Sequence, residues 1–222
     1  KRMPGPKALR LNPMLLGRLF LMLVFPDPIQ QWNLRPVPED AISTATPLGL
    51  YAAESAAVSP LRIWTGAIGG VWEGIYAIQP GAPGEIMPLL ALLCGIFLYG
   101  IGALDWRPAA GYLAGFAAAC ALLGLPVVFH LAAGSTWFTA AFVITDPRTT
   151  PASRSGRLAA GLLAGGANAL VRLHGYYPEG VVPAILAVNL LAPTLDRIAF
   201  HARGLQLRRA VHPQPQTGET PP

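Results

Sequence analysis

Charge is what this sequence has least of. Only 12% of its 222 residues are Asp, Glu, Lys or Arg, against roughly 25% in an average soluble domain. Amphipathic stripes are missing too. The apolar residues, 53% of the chain, come in long blocks, which argues against the core of a soluble protein. Mean hydropathy, at +0.45, points the same way. Cysteine is scarce: Cys94 and Cys120 both lie inside apolar blocks, and there is neither a CxxC nor a histidine cluster. They read as packed thiols rather than a disulfide or a metal site. No signal-peptide pattern is present, because the first apolar block already contains Arg18 and is entered through Asn12-Pro13. With Lys1 rather than methionine at the start, a preceding N-terminal part of the natural protein is expected. The net charge of +5 does not point to nucleic acid, since the basic residues cluster at the ends of apolar blocks, where membrane topology uses them.

What is there is a series of apolar blocks. Residues 1–10 are basic and Pro-rich, and 14–25 form the first block. A more polar stretch, 26–65, follows. Residues 68–78 are apolar apart from Glu73 but short and Gly-rich, and read as re-entrant or interfacial. Spans are expected at 86–104, 109–129, 158–171 and 181–195, with a shorter, broken or tilted one at 131–145. A straight crossing needs about 20 apolar residues, so several of these are marginal. Small residues such as Gly165-Gly166 permit close helix contact, and broken helices are tolerated where they line a cavity. The fold class is therefore all-α, a polytopic transmembrane helical bundle with short, broken or re-entrant helices and about six crossings. Residues 198–222 are expected to be a disordered tail, polar and Pro-rich from Pro213.

Topology follows from Lys and Arg. If 68–78 does not cross, one face collects Lys1, Arg2, Lys7, Arg10, Arg107, Arg148, Arg154, Arg157, Arg197, Arg203, Arg208 and Arg209, whereas the other collects only Arg35, Arg62 and Arg172. The rich face is cytoplasmic by the positive-inside rule. Residues 26–65 then lie outside, and the C-terminus inside.

Within 26–65, Thr46 is a good helix N-cap with Pro47 at the first helical position, beginning a helical run to about Ala57. A helix start also offers free N–H groups and a positive dipole end, which suits a phosphate. The stretch Asp40-Ala41-Ile42-Ser43-Thr44-Ala45-Thr46-Pro47-Leu48 resembles the flavinylation motif of the RnfD/NqrB family, the membrane subunits of redox-driven ion pumps. The family often has Gly where this chain has Thr44. Four further stretches match in order. They are Asn12-Pro13 through Phe25-Pro26; Gly81-Ala82-Pro83-Gly84-Glu85; Phe142 to Pro147 with Ser155-Gly156-Arg157; and Tyr177-Pro178-Glu179-Gly180 with Asn189, Pro193 and Asp196. The resemblance covers 11–197 and is greatest to RnfD by its compact loops, although Gly17-Arg18 and Tyr-Pro-Glu-Gly lean toward NqrB.

The resemblance implies a covalent FMN, phosphoester-linked to Thr46, with Ser43 and Ala45 of the same motif beside it and Glu85 as a further cofactor-cavity candidate. By analogy with NqrB, riboflavin is a candidate second flavin. The resemblance also implies a bacterial inner-membrane, multi-pass subunit with the Thr46 loop periplasmic, passing electrons coupled to Na+ or H+ movement. The implied partners are other Rnf-type membrane subunits, a second covalent flavoprotein subunit, iron–sulfur subunits, a flavin transferase for maturation and membrane lipid.

Other residues carry two readings each. Asp146 and Asp196 are either helix-end carboxylates paired with Arg148 and Arg197, or an ion-entry site, since carboxylates at membrane helix ends gather cations. Glu85 either favours a helix start or faces the flavin. Gly134-Ser135-Thr136 reads as helix-breaking or cavity-lining. His130 and His174 are expected at the interface, and Trp106, Trp137, Tyr176 and Tyr177 in aromatic belts. Gly- and Pro-broken segments are equally typical of a cofactor-free transporter; the Thr46 motif is what separates the two.

Overall fold

The computed structural model describes residues 11–26, 48–49, 51, 85, 88–174 and 180–211, with side chains through 203. The described residues are helical and contain no strand. In chain order they form α1 (Pro13–Val24), α2 (Pro88–Gly100), α3 (Trp106–Leu122), α4 (Val127–Ala132) and the single turn α5 (Thr136–Phe138), which runs into a π-helical turn at Thr139–Val143. Then come α6 (Arg154–His174) and α7 (Val181–Val211).

Local chemistry sets the starts. Asn12 accepts from the N–H groups of Met14 at 3.0 Å and Leu15 at 3.4 Å, with Pro13 at the first helical position. Asp105 caps α3 in the same way, accepting from Arg107 N–H at 3.0 Å. The span expected at 109–129 is shorter than the sequence suggested, because α3 stops at Leu122. Gly124 takes a φ of +69° just past that end, and Pro126 has no N–H with which to continue the helix. The segment expected to be broken, 131–145, is broken: α4 ends at Ala132, and Gly134 (φ +70°) separates it from α5.

One helix is long and apolar enough to cross a membrane alone among the described residues, Val181–Arg203, whose 23 residues reach about 35 Å. α1 and α2 are apolar but only 12 and 13 residues long. The six expected crossings thus reduce to one that meets the criterion unaided. α7 also runs on to Val211, so 198–211 are helical rather than the start of a disordered tail. The helix formers Leu205, Gln206, Leu207, Arg208, Arg209 and Ala210 account for this.

The centre of the fold is the pair α3–α6. Each contributes two glycines four residues apart, Gly111 and Gly115 facing Gly161 and Gly165. A Cβ at Gly115 would strike the Leu162 carbonyl, and one at Gly165 the Tyr112 carbonyl, so the two backbones touch. Of the expected Gly165-Gly166 pair, only Gly165 is in the seam; Gly166 has open space. α7 packs on the other flank of α6, and α1 on α7. Polar groups lie inside: Thr136, Thr139, Asn168 and Asp196 are completely buried. Asn168 Nδ2 donates to the Tyr112 hydroxyl at 2.7 Å across the α3–α6 seam. Large apolar side chains cover the outside, among them Phe20, Leu23, Phe97, Leu122, Val128 and Ile198.

Candidate functional site

The bundle presents two polar ends, about 22 Å apart along α6 between Arg157 and Arg172. At the first end, Asp105 draws in two arginines. Arg157 Nη1 lies 2.6 Å and Arg107 Nη1 3.1 Å from its carboxylate. Partial burial opposes ionisation of Asp105, but the Arg107 N–H bond and the two guanidinium groups outweigh it and hold its carboxyl below the usual range. A cavity of about 480 Å³ opens here, lined by Tyr99, Asp105, Arg107, Thr145, Thr150 and Arg157.

Asp146 and Asp196 lie at this same end. Asp146 Oδ1 accepts from the Arg148 N–H at 2.9 Å and Oδ2 from the Thr149 hydroxyl at 3.4 Å, a turn-forming arrangement. Asp196 reaches from α7 to the start of α6. Its oxygens accept from Ala152 N–H at 2.9 Å, Ser153 N–H at 2.9 Å and Ser153 Oγ at 2.8 Å. Both carboxylates thus shape the loop that precedes α6. Among the described residues there is no group of three or more His, Cys, Asp or Glu side chains fit to hold a metal ion.

The second end is built around the break between α4 and α5. Arg172, near the end of α6, sends its guanidinium into that break. Nη1 donates to the His130 carbonyl at 2.8 Å, and Nη2 to the Thr136 hydroxyl at 2.9 Å and the Ala133 carbonyl at 3.3 Å. Those carbonyls belong to the C-terminal end of α4, where no intrahelical partner remains. Thr136 Oγ1 donates to the same carbonyls at 3.3 and 3.2 Å, so this residue does break the helix as its sequence suggested. The Phe116 ring lies under the guanidinium, 4.7 Å from its carbon. His130 is buried here rather than interfacial. Leu48 and Tyr51 close over this end: Leu48 packs with Phe129, Ala132 and Ala133, and Tyr51 sits edge-on to His130 at 4.9 Å.

Of the sequence-derived candidates, Glu85 pairs with Arg18 at 3.5 Å. Thr46, Ser43 and Ala45 lie outside the described residues, as do 68–78, Tyr176 and Tyr177. His174 and Trp106 are exposed, and Cys94 and Cys120 are free thiols. Sequence reasoning passed over Asp105 and treated Arg172 only as a topology marker. Its isolation among small and apolar residues was the one available signal.

The basic residues counted to the rich face, Arg107 and Arg157, share the Asp105 end, whereas Arg172 stands at the other. The model of the NQR2, RnfD, RnfE family matches residues 9–203. The chain belongs to that family. Among its relatives, the D component of the Na(+)-translocating ferredoxin:NAD(+) oxidoreductase complex of Acetobacterium woodii is 31% identical, over 84% of this chain and 56% of that protein. The D component of the ion-translocating oxidoreductase complex of Pseudomonas paraeruginosa is 34% identical, over 83% of this chain and 59% of that protein. The B component of the Na(+)-translocating NADH-quinone reductase of Klebsiella pneumoniae (strain 342) is 32% identical, over 86% and 49%. The chain thus spans between about half and three-fifths of these relatives' lengths.

Proposed function

We propose that this chain is part of a multi-pass, inner-membrane subunit of an ion-translocating oxidoreductase that carries FMN as a phosphoester on Thr46. Three things support the membrane reading: the block hydropathy, polar groups buried inside the bundle, and bulky apolar side chains turned outward. Lipid accommodates such a surface, whereas water does not. Family membership, together with the Ser43-Thr44-Ala45-Thr46-Pro47-Leu48 stretch, carries the flavin reading. The positive-inside count puts the Asp105 end in the cytoplasm and the Arg172 end, with the Thr46 loop, in the periplasm.

The residues at the Arg172 end fit a phosphate. Leu48, two residues beyond Thr46, is packed there, and the neighbourhood is cationic. Among the described residues, no carboxylate pairs with Arg172. His130 Nδ1, His130 Nε2 and Arg172 Nε are buried without hydrogen-bond partners. FMN, when bound, supplies electron transfer; the protein positions it and sets its surroundings. Partner subunits with a second covalent flavin and iron–sulfur centres, and a bound riboflavin, belong to this reading as well, as does a flavin transferase. So does a cation path entering near Asp146 and Asp196.

In-gel flavin fluorescence after denaturation tests the reading. The full-length protein, made with its flavin transferase, should fluoresce, and Thr46→Ala should not, while still reaching the membrane. Fluorescence that persists in Thr46→Ala would move the attachment to Thr44 or elsewhere. No fluorescence in either protein would leave a cofactor-free transporter as the better account.

A further inference from the structure

The connection between α2 and α3 turns back on itself beside an open cavity. Past the end of α2, the Ala103 N–H donates to the Leu98 carbonyl at 3.0 Å and the Gly102 N–H to the Tyr99 carbonyl at 3.1 Å, with Gly102 at a φ of +73°. This glycine cap reverses the chain. Residues 102–108 then line the cavity of about 480 Å³ at the Asp105 end, together with Tyr99, Thr145, Pro147, Thr150 and Arg157. Its volume falls within the roughly 300–1,000 Å³ of small-ligand sites.

The lining carries an excess of positive charge and unused donors. Asp105 is its only carboxylate, and it faces two guanidinium groups. Both carboxylate oxygens are occupied. Oδ1 accepts from the Arg107 N–H and Nη1, and Oδ2 from Arg157 Nη1 and, at 3.3 Å, Arg107 Nη1. Asp146 and Arg148, next to the lining in sequence, cancel in charge. Arg157 Nε donates to the Pro151 carbonyl at 3.0 Å. Arg157 Nη2, with Arg107 Nε and Nη2, is left without a partner among the described residues. The two side chains are 28% and 30% exposed, so a ligand arriving from outside reaches them. One net positive charge with free guanidinium N–H groups suits a phosphate monoanion.

The surroundings select the source of that phosphate. Phe97 and Ile101 near the end of α2, and Trp106 at the start of α3, are each more than half exposed. The Arg107 guanidinium lies 5.3 Å from the centre of the Trp106 ring. A cationic cavity bordered by an outward apolar flank and a tryptophan fits a molecule that is polar at one end and hydrocarbon at the other. We propose that this cavity seats the headgroup phosphate of an anionic phospholipid, with Arg107 and Arg157 donating to its non-bridging oxygens and its acyl chains lying along Ile101 and Phe97. The proposal rests on the membrane reading above and not on the flavin. A zwitterionic lipid is the poorer ligand, because its ammonium finds no unoccupied carboxylate in the lining. The positive-inside count turns the cavity toward the cytoplasmic leaflet, whose surface is negatively charged.

Lipid titration of the full-length protein tests this. Delipidated protein in neutral detergent receives phosphatidylglycerol, phosphatidylcholine, inorganic phosphate or glycerol 3-phosphate. Bound lipid is counted by native mass spectrometry, and thermal unfolding is followed in parallel. Wild type should hold one phosphatidylglycerol tightly and show a saturable rise in melting temperature that phosphatidylcholine and the two soluble phosphates do not give. Arg107→Gln and Arg157→Gln should each shift the phosphatidylglycerol response to concentrations about tenfold higher or more. Arg154→Gln, which removes an equal charge from an exposed position outside the lining, should leave it unchanged. Should Arg157→Gln fail to fold, Arg107→Gln decides, since the Arg157–Asp105 pair stays in place. An equal loss in Arg154→Gln, or no loss in Arg107→Gln, overturns the proposal. So does the same rise with inorganic phosphate or glycerol 3-phosphate, which would make the ligand a soluble phosphate. Phosphatidylglycerol held by the isolated subunit but excluded from the assembled complex would give the cavity to a partner subunit, and overturns it too. A full-length protein that does not sediment with membranes would sink the membrane reading and this proposal with it, a distinguishable result.

Discussion

Two adjacent glycines on α6 should respond in opposite directions to the same methyl group. At Gly165 an added Cβ would lie 2.5 Å from Phe116 N and closer still to the Tyr112 carbonyl. Ordinary contact needs about 3.4–4 Å, so α3 and α6 would have to part by roughly 1 Å. A gap of that size forfeits a quarter to a half of each dispersion contact along the seam, and overpacking of this kind costs about 1–3 kcal/mol. The separation would also stretch the 2.7 Å bond from Asn168 to the Tyr112 hydroxyl one turn further along. Gly166 has no neighbour within 4 Å of its would-be Cβ. Its replacement by alanine removes only the backbone freedom of glycine in a helix, a gain of about 0.5–1 kcal/mol. For a chain of this length each kcal/mol moves the melting temperature by roughly 2–4 °C. Thermal unfolding in detergent, followed by tryptophan fluorescence, should therefore place Gly165→Ala below wild type and Gly166→Ala at or above it. Equal melting temperatures for the two variants would refute close backbone contact between α3 and α6.

Four further outcomes are expected. Asp105 has a depressed pKa in the fold, so its contribution is full above the unfolded carboxylate value of about 3.9 and is lost as pH falls through the lower folded value; in melts from pH 7 downward, the advantage of wild type over Asp105→Asn should be constant above about pH 5 and shrink progressively below about pH 4, and an advantage that grows on acidification would refute the pairing. Asp196→Asn exchanges an acceptor for a donor among three N–H and O–H donors and should cost about 1–3 kcal/mol; if the carboxylate also gathers the pumped cation, steady-state electron transfer should lose cation dependence in this variant but not in Ser153→Ala, and an unchanged response in both would make Asp196 a cap alone. Tyr112→Phe leaves Asn168 Nδ2 buried without its acceptor and should destabilise by about 1–3 kcal/mol, measurable in the same thermal assay. A cysteine at Ser155 should resist an impermeant thiol reagent in intact cells while one at Gln31 reacts, and the reverse pattern would invert the proposed sidedness.

Local signals in the sequence were reliable wherever one short segment decides its own structure. Asn12-Pro13 starts α1, and the Gly134-Ser135-Thr136 stretch interrupts a helix, whereas Gly124 and Pro126, which end α3 and precede α4, went unread inside the expected span 109–129. The family resemblance likewise rested on contiguous residues, and the family match spans nearly the same stretch. What stayed hidden is carried by side chains that meet from distant parts of the chain. Arg172 reaches the His130 carbonyl across 42 positions, and Asp196 reaches Ser153 across 43. No window of sequence contains both partners. The glycine seam was half legible: Gly165-Gly166 announced close packing, but which glycine faces inward depends on the rotation of α6, and its counterparts Gly111 and Gly115 are revealed only by the docked pair. The α3–α4 boundary was misplaced, because Leu123, Leu125 and Val127 keep the stretch apolar on both sides of the true helix end.

The Asp196 contact has a consequence for biogenesis. The loop before α6, through its last residue Ser153, is held by a carboxylate belonging to the following helix. Ser153 caps α6 locally, its Oγ accepting from Gly156 N–H at 3.1 Å, but the carboxylate that holds Ser153 is synthesised about 20 residues after α6 is complete. Until α7 has emerged and docked, the N–H groups of Ala152 and Ser153 must be served by water or left open. Final shaping of the Asp105 end, with the Arg157 bond that depends on how α6 begins, is therefore a late event that waits for the last helix. Chains interrupted before Asp196 should insert their earlier segments and still fail to close this end, which makes the unfinished loop a natural mark for proteolytic quality control.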